Sequence, residues 1–207
     1  MNVANSSEVI EHYNSVPNTG IREREGVRIY YLRCFNNWIK TKLFNKAEIL
    51  LREQGRSNLV GLDLCCGKGG DLLKWNHMDV SHVVFTVKLV FRLIFFQEHL
   101  KDLYKNPAIE FDLCSCQFSF HYAFETERQA RVMIRNAIEM LKPGGLFLGT
   151  LPEAERIMFF LRKGFGCYSN DVVRLTYGDQ ELFQKENYRP PIFGAKFHFA
   201  LEEQVFF

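Results

Sequence analysis

The sequence predicts an α/β fold built on a mostly parallel sheet, and three observations carry that prediction. Apolar, strand-like runs alternate with helix-like runs along the 207 residues, the pattern left by the crossovers of a parallel sheet. Residues 59–64 lead directly into Cys65-Cys66-Gly67-Lys68-Gly69-Gly70-Asp71 and then into the amphipathic Leu72-Leu73-Lys74-Trp75. A strand, a glycine-rich turn and a helix start in that order bring backbone N–H groups close to a nucleotide-like ligand. A second strand-like run, residues 111–116, ends beside Gln117. In open α/β sheets ligands sit beyond the carboxyl ends of such strands, where the strand order reverses.

The elements follow from local pattern. Residues 6–19 read as an entry segment with a turn at Pro17-Asn18. Residues 28–52 read as helix, because Tyr31, Phe35, Trp38, Ile39 and Lys42 recur at a spacing of three to four and Gly55 stops the run. Residues 59–64 form the first strand, and residues 70–75 open a helix. Residues 82–87 are a β-branched run, read as the second strand. Residues 89–104 fit a helix that is apolar almost all round. Thr126 and Gln129 make a capping box for the next helix, whose buried face is marked by Ala130, Met133, Ala137 and Leu141. Lys142-Pro143-Gly144-Gly145 ends that helix and residues 146–151 form the following strand. Residues 172–177 and 192–201 alternate like strands of a meander.

Composition sets the class. Apolar residues make up 47% and aromatics 14%, enough for one globular domain with a real core. The net charge of +2 is globally uninformative, but residues 21–56 carry nine Lys or Arg against four Glu. Such a stretch suits an anionic partner, a triphosphate or an RNA backbone, and equally a solvated helix face. The longest apolar run, residues 83–96, is short of a bilayer span and contains Lys88 and Arg92, so no membrane is expected. The chain opens without a signal-peptide pattern, and its six cysteines read as reduced thiols. Cys65, Cys66, Cys114 and Cys116 lack the spacings of the usual zinc motifs, and no metal is expected.

The glycine turn narrows the chemistry. Gly67, Gly69 and Gly70 leave no side chain to block a ligand. The Asp63 carboxylate just ahead of the turn disfavours phosphate and suits the amino group of an amino-acid moiety, as in S-adenosylmethionine. A tight strand–helix turn with no ligand fits the same residues.

Three further blocks are more specific. Tyr30-Tyr31-Leu32-Arg33-Cys34-Phe35-Asn36-Asn37-Trp38-Ile39-Lys40 precedes the turn. Phe111-Asp112-Leu113-Cys114-Ser115-Cys116-Gln117-Phe118 and His121-Tyr122-Ala123-Phe124-Glu125 follow it, and Leu141-Lys142-Pro143-Gly144-Gly145 comes later. In order and placement these blocks resemble the eukaryotic mRNA cap guanine-N7 methyltransferases, over residues 12–75 and from 111 to about 201. The resemblance implies a class I S-adenosylmethionine-dependent methyltransferase (Rossmann-like) sheet in a single domain, 1–207, with residues 1–57 as a helical segment facing the cap. It implies methyl transfer to N7 of the guanine cap, the capped mRNA 5′ end as partner, a nuclear location and a possible protein activator. By position, Lys40, Asp63, Cys65, Gly67, Gln117 and Tyr122 would contact S-adenosylmethionine, and Asn36, Asn37, Lys68, Lys74 and His121 the cap. N7 has a free lone pair, so the reaction needs positioning rather than a catalytic acid or base.

The chain also departs from that family. Cys65 stands where the family has Gly. The ribose-binding acid expected at the end of the second strand is replaced by Val87, and no Asp or Glu occurs between Asp79 and Glu98. The interval from Val87 to Phe111 holds little more than one helix, so strand three is expected to be missing. The sequence stops at Phe207, ahead of the family's last strands, which makes the expected sheet incomplete at strand three and at the C-terminus. Leu151 and Glu153 replace the family's Thr and Asn. Two other functions fit these departures: a non-catalytic form that binds RNA or a protein partner, and a small-molecule methyltransferase sharing only the glycine turn. The Asn36-Asn37-Trp38 block weighs against the latter.

Overall fold

Helix α1 (Tyr30–Glu53) is the first element of the computed structural model, which describes residues 28–86, 99–106, 108–185, 187–201 and 204–206. The chain divides into two compact units, Asn37–Pro152 and Met1–Asn36 with Glu153–Phe207. The unit Asn37–Pro152 contains β1 (Val60–Leu64), α2 (Leu72–His77), β2 (His82–Phe85), β3 (Phe111–Gln117), α3 (Glu127–Ile138) and β4 (Leu141–Thr150). Its strands run in the order β2-β1-β3-β4, and every neighbouring pair is parallel. The order therefore reverses between β1 and β3, as the predicted α/β class requires.

Strand periodicity splits the core between the two faces of this sheet. On one face Phe44, Ala47 and Leu51 of α1 pack with Trp75 and Met78 over Leu59, Leu113 and Leu148. On the other, Met133 and Ala137 of α3 pack with Leu100 and Met140 over Leu62, Leu64, Cys114 and Cys116. β3 is buried along Phe111–Cys116 because strands flank it and side chains cover both its faces.

The other unit holds α4 (Ala154–Lys163) and the antiparallel strands β5 (Cys167–Ser169), β6 (Val173–Tyr177), β7 (Phe197–Leu201) and β8 (Gln204–Phe206), in that order. Its core is Ile157, Leu161, Leu175 and Tyr177, and the Tyr177 and Tyr188 hydroxyls share a 2.9 Å hydrogen bond.

Several sequence expectations change in detail. The buried face of α1 is Phe44, Ala47 and Leu51, while Tyr31, Phe35 and Trp38 are exposed. Leu141-Lys142-Pro143-Gly144-Gly145 belongs to β4 rather than to a turn. The register there jumps from Phe111↔Leu141 to Leu113↔Leu146; the extra residues are accommodated at Gly144, whose φ is +76°. Leu141 accordingly opens a strand and does not mark the α3 face. Half of the capping box is present: the Gln129 N–H donates to Thr126 Oγ1 at 3.2 Å, while the Gln129 side chain accepts from that hydroxyl at 2.6 Å instead of bonding the Thr126 N–H. Of the expected helix 89–104, Leu100–Leu103 form a short 3₁₀ turn, and residues 89–98 lie outside the described residues, as do the entry segment 6–19 and Val87. Among the described residues no strand intervenes between β2 and β3.

At the amino end of the sheet, Asp112 ties three strands together. Its carboxylate accepts from the Val60 N–H (2.8 Å), Arg56 Nη1 (2.7 Å) and Lys142 Nζ (2.8 Å) while only 2% exposed. Burial pushes this carboxyl up, but the bonds from Lys142, Val60 and Arg56 outweigh it and hold the pKa below the usual value. The group therefore stabilises the fold at neutral pH, and that contribution is lost as pH falls below the carboxylate range. Asp112→Ala leaves two cations without their buried partner and is expected to cost about 3–5 kcal/mol in urea unfolding at pH 7. The gap between variant and parent should shrink once pH drops below about 4.

Candidate functional site

The carboxyl end of β1 is shaped by a contact that needs glycine. A Cβ on Gly61 would overlap the ring of Trp75, so the bare backbone lets the indole lie against the strand. There Trp75 Nε1 donates to Asp63 Oδ2 at 2.9 Å. Asp63 is 2% exposed. Burial pushes its carboxyl up to about 6, with the nearby Asp71 adding to the rise and the Trp75 N–H, Lys40 and Lys74 opposing it. At pH 7 this is a buried, ionised carboxylate with one hydrogen bond from a neutral donor and a net demand for positive charge.

The turn that follows depends on positive φ: +63° at Cys65, +56° at Gly67 and +74° at Gly69. For Cys65 this conformation costs about 1–2 kcal/mol. Its N–H donates to Thr86 Oγ1 (3.1 Å), the Cys66 N–H to the Thr86 carbonyl (2.9 Å), and the Thr86 N–H to the Asp63 carbonyl (2.9 Å). The Cys65 side chain is buried in the cluster with Leu62, Leu64, Cys116 and Ala123. Burial pushes the Cys65 and Cys114 thiols up, so both serve as small apolar groups. β1 and β3 are neighbours, which brings these sulfurs together, but among the described residues no group of three or more metal-ligating side chains is arranged to hold a metal.

Asp71, just past the turn, gathers three of the residues picked out in the sequence. Lys40 Nζ lies 2.7 Å from Asp71 Oδ1 and donates to Oδ2 at 3.0 Å. Lys74 Nζ lies 2.8 Å from the same Oδ1 and donates to Asn37 Oδ1 at 2.6 Å. Lys74 is only 7% exposed. Its ammonium is thus a buried, fixed charge linking α1 to α2, whereas Lys68 is exposed on the turn itself. Asn36 is half-buried at the adjoining position of α1.

The remaining residues stand at the end of β3. Gln117 Nε2 donates to Ser115 Oγ (2.9 Å) and its Oε1 accepts from Thr150 Oγ1 (2.8 Å), which fixes the amide across β3 and β4. His121 and Tyr122 lie in the 3₁₀ turn Phe120–Glu125 with ring centroids 4.2 Å apart, and Tyr122 packs against the core. Asp71, Trp75 and Thr86 were not assigned roles from the sequence. Asp71 was within reach, since a carboxylate placed between Lys68 and Lys74 beside a turn asks for a cation. The Trp75–Asp63 and Thr86–Cys65 bonds depend on tertiary placement, which local pattern does not reveal.

The raised Asp63 carboxyl makes a signed prediction. The folded chain holds this proton more tightly than the unfolded chain, so ionisation weakens the fold as pH rises from the usual carboxylate range through about 6. Asp63→Asn keeps an acceptor for Trp75 and removes that penalty. It should stabilise the chain by about 2–3 kcal/mol at pH 7.5 and by much less at pH 4. Thermal unfolding of both proteins across this range is the measurement.

Residues 1–88 and 84–206 match the mRNA (guanine-N(7))-methyltransferase domain, in two pieces that meet within 84–88. The chain is 41% identical to the mRNA cap guanine-N(7) methyltransferase of Caenorhabditis briggsae over 225 residues, covering 97% of this chain and 59% of that protein. Against the enzyme of the same name from Drosophila melanogaster it is 37% identical, covering 98% of this chain and 54% of that one. The chain thus spans a little over half the length of these relatives. Among solved structures, an S-adenosylmethionine-dependent methyltransferase from Clostridium acetobutylicum ATCC 824 aligns at 17% identity and TM-score 0.40, covering 82% of this chain and 78% of that one. With its family match running through both compact units, the chain belongs to the mRNA (guanine-N(7))-methyltransferase domain family.

Proposed function

We propose that this chain transfers a methyl group from S-adenosylmethionine to N7 of the guanine cap at the 5′ end of mRNA. The observation that carries the reading is Asp63: an ionised carboxylate, 2% exposed, at the end of β1 and directly before a glycine turn with φ of +56° and +74°. A buried carboxylate with no cation bonded directly to it fits the ammonium of an amino-acid moiety, and a turn with Gly67 and Gly69 at positive φ fits a ligand held against bare backbone. The residues that would hold S-adenosylmethionine are Asp63, the Cys65–Gly67 backbone, Lys40, Gln117 and Tyr122. Lys68, Lys74, Asn36, Asn37 and His121 would serve the cap.

Bound there, S-adenosylmethionine supplies a methyl group activated by a sulfonium. Guanine N7 has a free lone pair and no proton to lose, so the chain's own task is to align the partners and to exclude water. Lys40 and Lys74, fixed by Asp71, set a constant positive field beside Asp63. Lys68 and the basic stretch 21–56 suit the triphosphate and the RNA backbone.

One sequence observation favours the second reading, a non-catalytic form. Val87 offers nothing to the two ribose hydroxyls, and each buried hydroxyl left unpaired costs about 1–3 kcal/mol. Titration calorimetry with S-adenosylhomocysteine is therefore expected to give weak binding that Val87→Asp tightens by about tenfold, the worth of one recovered hydrogen bond. Methyl transfer from labelled donor to RNA with an unmethylated cap should follow the same order and vanish in Asp63→Ala. No heat and no transfer with either the parent or Val87→Asp would leave the non-catalytic reading. Capped RNA should bind more tightly than uncapped RNA in filter assays. Both affinities should fall steeply with salt as phosphate contacts release counterions.

A further inference from the structure

The end of β2 does more for the glycine turn than continue a strand. The parallel ladder pairs Asp63 with Phe85, and its next bond should run from the N–H of residue 65 to the Thr86 carbonyl. That carbonyl is instead taken by Cys66, at 2.9 Å. One extra residue has been inserted at the strand end, as in a β-bulge whose first residue is left-handed. The inserted residue is Cys65, with φ +63° and 7% exposure. Its displaced N–H has left the ladder inside a buried site, and it donates to Thr86 Oγ1 at 3.1 Å. The same hydroxyl lies 3.3 Å from the Asp63 carbonyl, to which it donates.

We infer that Thr86 is a positioning residue whose hydroxyl, bridging the Cys65 amide and the Asp63 carbonyl, holds the ligand-binding turn in its left-handed form. Any residue but proline at position 86 would supply the two backbone bonds; the hydroxyl supplies the other two. Glycine at position 65 would adopt this conformation without strain, whereas cysteine needs the conformation held. The inference rests on the proposed reading that the turn receives the cofactor, and it extends that site to the residue just past β2, which has no assigned contact to it.

Thr86→Val removes the hydroxyl at nearly constant volume, Thr86→Ser keeps it, and Thr86→Ala replaces Val where that variant does not fold. Two readouts are taken on the full chain. Amide exchange by NMR should show the Cys65 N–H losing about tenfold or more in protection in Thr86→Val, with Leu113 and Cys114 amides unchanged and Thr86→Ser close to the parent. S-adenosylhomocysteine affinity should fall by about tenfold in Thr86→Val and recover in Thr86→Ser. Unchanged affinity in Thr86→Val, or a Thr86→Ser variant as weak as Thr86→Val, overturns the inference, the latter assigning the effect to methyl packing. If neither the parent nor Val87→Asp binds, the cofactor reading fails by that result alone. The exchange data then decide: selective loss at Cys65 supports the role of Thr86, and uniform or absent change refutes it.

Discussion

The contact of Trp75 with Gly61 is the constraint on which the rest of the site depends. Because residue 61 lacks a Cβ, the indole lies flat enough on β1 to deliver its N–H to Asp63, two residues further along the same face. That single arrangement fixes α2 against the sheet, since Trp75 is 2% exposed and also meets Phe44 of α1 edge-on at 4.9 Å. It sets the height at which α2 begins and therefore where Asp71 and Lys74 stand. The bond from Trp75 is neutral, so it orients the Asp63 carboxylate without cancelling its charge.

Charge balance around that carboxylate then follows. Asp63, Asp71, Lys40 and Lys74 form a group with two negative and two positive charges. Both lysines are committed to Asp71 at 2.7–3.0 Å, and Asp63 feels them only at longer range. A pair of ammonium groups shared by one carboxylate is a stiff arrangement, because moving either lysine strands the other charges in a buried place. α1 carries Lys40 and Asn37, α2 carries Lys74, and the turn carries Asp71. Residues assigned by resemblance to the cofactor and to the cap are thus joined through one side chain. Any ligand that shifts one of them shifts the setting of the others.

Much of this was legible in the sequence. Apolar runs placed β1 and β3, and alternation placed β6, within a residue or two, and Thr126 with Gln129 marked the start of α3, because those features depend on neighbours in sequence. The run 142–145 looks like a turn in the sequence because Pro and Gly punctuate turns. Here Gly144 instead accommodates a register jump inside β4, and nothing local distinguishes the two uses. The apolar spacing of Tyr31, Phe35 and Trp38 gave the helix correctly but not its buried face, which is chosen by what packs against Phe44, Ala47 and Leu51. Asp63 and the glycine turn announced themselves by spacing. Thr86 did not, since its role arises when a displaced amide from another strand arrives at its hydroxyl.

The two buried aspartates of the sheet differ in how their charges are met. Each is 2% exposed, and burial disfavours both charges. Asp112, at the amino end, meets two cations and a backbone N–H, and its pKa falls below the usual value. Asp63, at the carboxyl end, meets one indole N–H and cations that are spoken for, and its pKa rises to about 6. A chain selected for stability alone would satisfy both in the same way. Leaving the second carboxylate without a bonded cation weakens the fold, a cost that a cationic ligand of the proposed kind would offset. The left-handed Cys65 beside it adds a second local cost within two residues. On the proposed function, these two unfavourable features side by side, each held in place by surrounding structure, suit a site for a cationic ligand better than a packing turn.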